Sequence, residues 1–291
     1  MPKSIEELLS TGDFASAAQA AAARFSEHPD DIQALSQLGF VLLQAGRNEE
    51  AAKALAKLAE LRPNDAVVRY NCGLAYDNSK HPSEAVAFYR KAIELKPSYV
   101  APRVNIAELL CKTGEPEEAE RICREGLALL LSEPSPELHR AYGNVLNSLG
   151  RMKEALAEYD IAASLVKGFS TARTNSLLAS LCVDEITEDE VFARHRAWAE
   201  FVEKEMPPPP KALPLEGRRL KIGYVSEDFR RHSVAFFIEP VIACHDKTKV
   251  EVFCYSDVVR PDAITARIKS LSEHWRDCAS KSDAELAEAV R

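Results

Sequence analysis

The chain has 291 residues, enough for two domains, and its 46% hydrophobic and 28% charged residues exclude a disordered polypeptide. A formal net charge of -8 excludes a general nucleic-acid binder, which needs surplus Lys and Arg to neutralise phosphates, and leaves protein or small-molecule partners open. The opening residues, MPKSIEELLSTGDF, carry acid early and lack the apolar stretch of a secretory signal, and no run of 18 apolar residues occurs, so neither export nor a membrane span is expected.

Residues 1–167 read as a repeat. Pro29, Pro63 and Pro97 stand 34 residues apart, Ala17, Ala51, Ala85 and Ala119 keep the same step, and Gly12, Gly46 and Gly114 punctuate in phase. After a two-residue slip a further unit follows with Gly143, Gly150, Ala155 and Tyr159. A period of 34 is that of the tetratricopeptide repeat, a helical hairpin that buries its apolar face only by stacking. In the second unit Leu35, Leu38 and Leu42 share one face of a first helix, Gly39 permits close approach, and Gly46 ends that helix. Ala51, Leu55 and Leu58 face back from the second helix, and Pro63 closes the unit. Cys72, Gly73, Tyr76, Ala85, Tyr89 and Ala92 repeat the pattern. About five units are expected, the first truncated at its N-terminal helix and the fourth with Leu131 in the place of the proline. The predicted architecture is an α-α superhelix with a groove.

Gln37, Asn71 and Asn105 fall at one repeat position. A side-chain amide offers a donor and an acceptor, so a ladder of amides can hold an extended peptide backbone without reading its sequence; the competing reading is amides that merely solvate a helix face. Tyr70, Tyr99, Arg69 and Arg103 are further groove candidates, for which plain surface placement is the simpler reading.

Residues 168–206 break the period but look helical from residue 171 onward. Thr187 followed three later by Glu190 predicts a capping box, and Val191, His195, Trp198 and Val202 share a helix face on which Phe192, Ala199 and Phe201 add apolar bulk. His195 reads as a packed helix histidine. The run MPPPPKALPLEG predicts an extended linker over 207–217.

From residue 218 to 291 the pattern changes again. RRLKIGYVS predicts a buried strand, VAFFIEPVIACHD a helix with a kink or early break at Pro240, and KVEVFCYS a second strand. PDAITARIKSLSE predicts a helix with proline near its start, HWRDCAS a third strand, and SDAELAEAVR a helix opening at a Ser/Asp cap. Strands alternating with helices imply a parallel sheet, and ligands of such sheets bind outside the C-terminal ends of the strands. The polar knot Glu227–Ser233, with Asp228, Arg230, Arg231 and His232, is therefore the first place to look for chemistry. Arg230 and Arg231 could lend positive potential, although solvated charges are the simpler reading, and a helix N-terminus near Ser233 could add to it. Seven cysteines, Cys72, Cys111, Cys123, Cys182, Cys244, Cys254 and Cys278, form no C-x-x-C pair and show no metal-ligand spacing. They predict buried free thiols in a reducing, cytoplasmic compartment.

The repeats, the element F-A-x-H-R-x-W-A at Phe192 to Ala199, and L-K-I-G-Y-V-S-x-D-F-R-x-H from Leu220 to His232 together resemble the protein O-linked N-acetylglucosamine transferases and SPINDLY-like proteins of glycosyltransferase family 41. Val250 to Ser256 match a further element, with Val for its first Phe. The resemblance implies a GT-B fold of two Rossmann-like halves, of which residues 218–291 would be an incomplete N-terminal half. It implies metal-free, inverting transfer of a sugar from a nucleotide donor, UDP-N-acetylglucosamine, to Ser or Thr of proteins held by the repeats, and no other cofactor. It places His232 at the cleft, as a base or as a group positioning donor or acceptor. A neutral imidazole suits a hydroxyl that loses its proton as it attacks.

Two departures stand out. Ser233 and Phe236 occupy positions where many bacterial relatives carry Pro and a second His, so any role of that histidine is absent. The family's nucleotide-binding half, with its lysine and donor-phosphate loop, has no counterpart up to Arg291, so the chain is expected to be a fragment or truncated form that is inactive alone. An adaptor of repeats without catalysis is the alternative. Fucose in place of N-acetylglucosamine stays open, as does a homodimer built through the repeats.

Overall fold

The computed structural model describes residues 4–166, 168, 170–205 and 217–290. The chain forms two compact units, Met1–Glu205 and Met206–Arg291. Most of the predicted 207–217 linker, residues 207–216, lies outside the described residues, as does residue 206 of the connector.

The first unit is a row of antiparallel hairpins. They pair α1 (Ile5–Ser10) with α2 (Phe14–Glu27), α3 (Ile32–Gln44) with α4 (Asn48–Leu61), and α5 (Ala66–Asn78) with α6 (Pro82–Leu95). The row continues with α7 (Val100–Thr113) and α8 (Pro116–Leu129), then α9 (Pro136–Ser148) and α10 (Met152–Leu165). These are the five expected units, and the shortness of α1 is the expected truncation. Pro29, Pro63 and Pro97 fall in the turns after α2, α4 and α6, where a helix has to stop. Asp31 and Asp65, also 34 apart, cap α3 and α5 by accepting from two first-turn N–H groups each.

Small residues set the helix spacing. A Cβ on Gly73 would lie 2.5 Å from the ring of Tyr89, and one on Gly143 would lie 2.4 Å from the ring of Tyr159. Both tyrosines are buried, so neither ring can yield. The first helix of each hairpin ends in a left-handed residue: Gly12, Gly46, Gly114 and Gly150 have φ between +69° and +89°. In the third unit Lys80 takes that role at φ +66°, where a Cβ is penalised. Lys80→Gly is expected to raise stability by about 0.5–1 kcal/mol, read as a higher urea midpoint; an unchanged or lower midpoint counts against strain there.

The predicted connector is not separate from the solenoid. α11 (Ser170–Ser180) packs against α10, and α12 (Glu188–Glu205) follows it, so a sixth helix pair extends the stack. The repeat consensus fails here because Ser176 and Ser180 take buried positions that earlier hairpins fill with apolar residues. Their hydroxyls bond to Asp160 and to the Leu177 carbonyl. The predicted capping box is present: the Thr187 N–H donates to Glu190 Oε2 (2.8 Å), and the Glu190 N–H donates to Thr187 Oγ1 (3.3 Å).

In the second unit β1 (Leu220–Ser226), α13 (Ser233–Cys244), β2 (Val250–Ser256), α14 (Ala263–Leu271), β3 (His274–Asp277) and α15 (Asp283–Val290) alternate. The strands form a parallel sheet of order β1-β2-β3, with Leu220 opposite Val250 and Phe253 opposite His274. Val252 and Cys254 pack on Phe229, Ile242 and Ile268, the small core of this unit. Pro240 lies inside α13 without ending it, and Pro261 stands before the Asp262 cap of α14 rather than within the helix.

All seven cysteines are free. Cys72, Cys123, Cys254 and Cys278 are buried as predicted, whereas Cys182 and Cys244 are exposed at helix C-terminal ends, where the apolar pattern no longer implies burial. No described helix is long and apolar enough to cross a membrane.

Candidate functional site

Two places carry the predicted residues, one in each unit. In the first, a groove of about 620 Å³ is lined by residues of α3 to α5 together with Glu6 and Arg24. Gln37 and Asn71 both line it, one repeat apart, and Phe40 and Val67 add exposed apolar surface. The three amides differ in what they are free to do. The Gln37 Nε2 donates to Glu6 Oε1 (3.1 Å), and its Oε1 accepts from Arg24 (3.1 Å), so this amide is committed on both sides. Asn105 Nδ2 donates to the hydroxyls of Tyr89 (3.3 Å) and Tyr70 (3.5 Å), leaving Oδ1 uncommitted among the described residues. The Asn71 side chain has no hydrogen-bond partner among the described residues.

The same helix position recurs at Asn175 in α11, which the broken period hid. Asn175 donates to Asn144 Oδ1 (3.2 Å), which also accepts from the Tyr159 hydroxyl (2.9 Å). Tyr159 precedes Asn175 by the same interval that separates Tyr89 from Asn105, and that Tyr-to-Asn spacing was the available sequence signal.

Two groove candidates are committed to the solenoid itself, Arg103 buried and Arg69 half-buried. Arg103 is 3% exposed and donates to the carbonyls of Pro97 (3.1 Å) and Ile122 (3.0 Å). Arg69 makes the equivalent contact to the Pro63 carbonyl. Both tie the first helix of a unit to the turn before it. Tyr70 and Tyr99 pack together with ring centroids 5.4 Å apart. His195 is the packed histidine expected, its Nδ1 2.9 Å from the Val191 carbonyl.

The second place is the turn between β1 and α13, at the C-terminal end of the strand. Phe229, 1% exposed, anchors the turn in the core and leaves its neighbours at the surface. The Asp228 N–H donates to Ser226 Oγ (2.9 Å), and the Arg231 N–H donates to Asp262 Oδ2 (2.7 Å). Asp262 also caps α14, and these N–H donors, that of Arg231 foremost, hold its carboxyl below the usual range. Sequence reasoning missed Asp262: Asp followed three later by Thr signals a cap, but nothing local shows that its second oxygen pins a distant turn.

His232 is the N-cap of α13, with Nδ1 3.3 Å from the Val234 nitrogen. The same Nδ1 is 3.3 Å from Asp228 Oδ2, while Arg230 donates to Asp228 Oδ1 (3.0 Å). The turn thus brings Asp228, Arg230 and His232 together. Arg230 serves the carboxylate and the Glu227 carbonyl, and the Arg231 side chain is exposed. At the N-terminus of a helix and the end of a parallel strand, this cluster can hold an anion or exchange a proton with a hydroxyl.

Residues 177–288 match the family model described as Glycosyl transferase family 41, and residues 8–70 and 79–130 match that of the Tetratricopeptide repeat. Two family models thus meet in this chain, the tetratricopeptide repeat in its first part and glycosyltransferase family 41 in its second. The first family match begins inside α11 and runs through the whole sheet, so it holds both F-A-x-H-R-x-W-A and the His232 turn. The chain is 36% identical over 132 residues to the probable UDP-N-acetylglucosamine--peptide N-acetylglucosaminyltransferase SPINDLY of Hordeum vulgare, covering 41% of this chain and 13% of that protein. It is 35% identical over 78 residues to the UDP-N-acetylglucosamine--peptide N-acetylglucosaminyltransferase of Caenorhabditis elegans, covering 25% of this chain and 7% of that protein. A solved tetratricopeptide repeat protein from Parabacteroides merdae superposes with a TM-score of 0.53 at 14% identity, over 69% of this chain and 75% of that one, a likeness of fold alone.

Proposed function

We propose that this chain is the acceptor-recognising part of a protein O-glycosyltransferase, with the repeats holding an extended polypeptide and the β1–α13 turn belonging to the transfer site. The reading rests above all on one coincidence. The family 41 match spans residues 177–288, and within it His232 stands at a helix N-terminus beside a carboxylate, at the strand end where parallel sheets bind ligands. The sheet is then the opening of a Rossmann-like layer. The donor is a nucleotide sugar, UDP-N-acetylglucosamine, and the acceptor a Ser or Thr hydroxyl whose proton His232 accepts. The 291 residues are not proposed to complete the transfer alone.

Acceptor capture is the testable half. Among the described residues Asn71 offers an amide with no partner, and Asn105 offers an uncommitted Oδ1 on an amide oriented by two tyrosines. Removing both is expected to weaken a fluorescent Ser/Thr-containing peptide about tenfold, the loss of one or two net hydrogen bonds. Titrating Asn71→Ala/Asn105→Ala against the parent chain by polarisation measures this. Equal affinity for the two would remove the amide ladder.

A further inference from the structure

The two contacts of His232 Nδ1 exclude each other. To accept from the Val234 N–H, Nδ1 must carry a lone pair, and the neutral ring then holds its proton on Nε2. To pair with Asp228 Oδ2, Nδ1 must carry the proton, and Nε2 is then the bare nitrogen. The heavy-atom distances are 3.3 Å each, and the ring as placed makes the hydrogen bond from the Val234 N–H, with the Asp228 carboxylate beside Nδ1 as an ion-pair neighbour that a small turn of the ring would bring into line. The surroundings favour the pairing with Asp228.

Asp228 is held for the role. Its N–H is fixed on Ser226, its Oδ1 takes Arg230, and its Oδ2 faces His232 with no other donor on it among the described residues. Its side chain is 19% exposed against 39% for His232, so water competes poorly for the carboxylate. The Val234 N–H belongs to the first turn of α13, where orphaned donors are readily met by water, and Val234 is exposed. A charge-assisted bond to a carboxylate outweighs a neutral N-cap bond. The other charges near the ring are Arg230 and Arg231 on the same turn, Glu227 at its start, and Asp262 at the cap of α14. Asp262 is already occupied by the Arg231, Ile264 and Thr265 N–H groups.

We infer that Asp228 is a positioning residue that keeps the proton on His232 Nδ1 and so presents Nε2 as the basic nitrogen. The consequence for transfer rests on the function proposed above. The acceptor hydroxyl gives its proton to Nε2 while its oxygen bonds the anomeric carbon. The bond from that carbon to the diphosphate oxygen breaks, and its electron pair leaves with the diphosphate. The ring becomes an imidazolium with Nδ1–H still on Asp228, whose charge offsets the adverse positive end of α13.

The test reads the proton directly. The 291-residue chain is labelled with nitrogen-15 histidine, His232 is assigned through His232→Gln, and long-range proton–nitrogen correlations of the neutral ring identify the protonated nitrogen. The Nδ1–H form is expected in about tenfold excess, equivalent to ~1.4 kcal/mol, the order of one net hydrogen bond. Asp228→Asn is expected to move the proton to Nε2, and Asp228→Glu to restore part of the Nδ1–H form. A parent chain with the proton on Nε2 overturns the inference, as does a folded Asp228→Asn with unchanged tautomer. The parent measurement decides even if a variant fails to fold. Because no sugar transfer or peptide binding is read, failure here leaves the proposed function standing, and failure of peptide binding leaves this pairing standing.

Discussion

Arg103→Ala is expected to destabilise the solenoid by about 3 kcal/mol, because this groove candidate is in fact an interior residue. The guanidinium donates to the carbonyls of Pro97 and Ile122, and hydrogen bonds from a charged donor contribute roughly 1.5–3 kcal/mol each. Against this, burial of the charge is unfavourable, as the lowered pKa of the group records. The stem also packs on Gly126, where an added Cβ would lie 2.7 Å from Arg103 Cδ, so truncation opens a cavity as well. Arg103→Met keeps most of the stem and loses both bonds, so the difference between the Met and Ala variants isolates the cavity. Stacked repeats unfold piecemeal, so the measurement is hydrogen exchange of α7 and α8 amides alongside a urea melt. A loss under about 1 kcal/mol would mean that the carbonyls find other donors and that Arg103 is replaceable.

Arg103 also marks where sequence reading stops. The periodic residues were legible because each answers to a local requirement: proline where a helix ends, glycine at a left-handed position or a close approach, alanine where helices touch. The first five hairpins follow from such signals, and the three strands from their β-favouring runs. The interior of Arg103 does not, because a charged residue on a helix reads as solvated unless its carbonyl partners are known, and Ile122 lies on a neighbouring helix. The helices α11 and α12 were expected, but that they continue the stack was missed for a related reason, since buried serines there replace the apolar consensus with a hydrogen-bonded one. Among the site residues the sequence placed His232, Asp228 and Arg230 on one turn. It could not show that Asp228 reaches Nδ1, that Asp262 pins the turn from α14, or that Gln37 is already spent on Glu6 and Arg24.

Tyr89 joins the two halves of this picture, stability and recognition. Its side chain is fully buried between α5 and α6 and covers the bare Cα of Gly73. Tyr89→Ala is expected to cost about 4 kcal/mol, the range for emptying a buried aromatic site. Gly73→Ala alone is expected to destabilise by about 1–3 kcal/mol through the clash with the ring, and to be harmless once Tyr89→Ala has removed that ring, a coupling that a double-mutant cycle would register. The hydroxyl has a different task. Burial pushes the phenol's pKa up, so it stays neutral and remains a fixed acceptor for Asn105 Nδ2. Tyr89→Phe keeps the packing and is expected to cost only about 1 kcal/mol, yet it removes one of the two contacts that orient the Asn105 amide. If Asn105 Oδ1 receives a peptide N–H, the loss of that orientation should weaken peptide binding about threefold, a preorganisation effect of well under one hydrogen bond. A folded Tyr89→Phe chain that binds the peptide as tightly as the parent would assign the Tyr89–Asn105 contact to the solenoid alone and leave Asn71 to carry recognition.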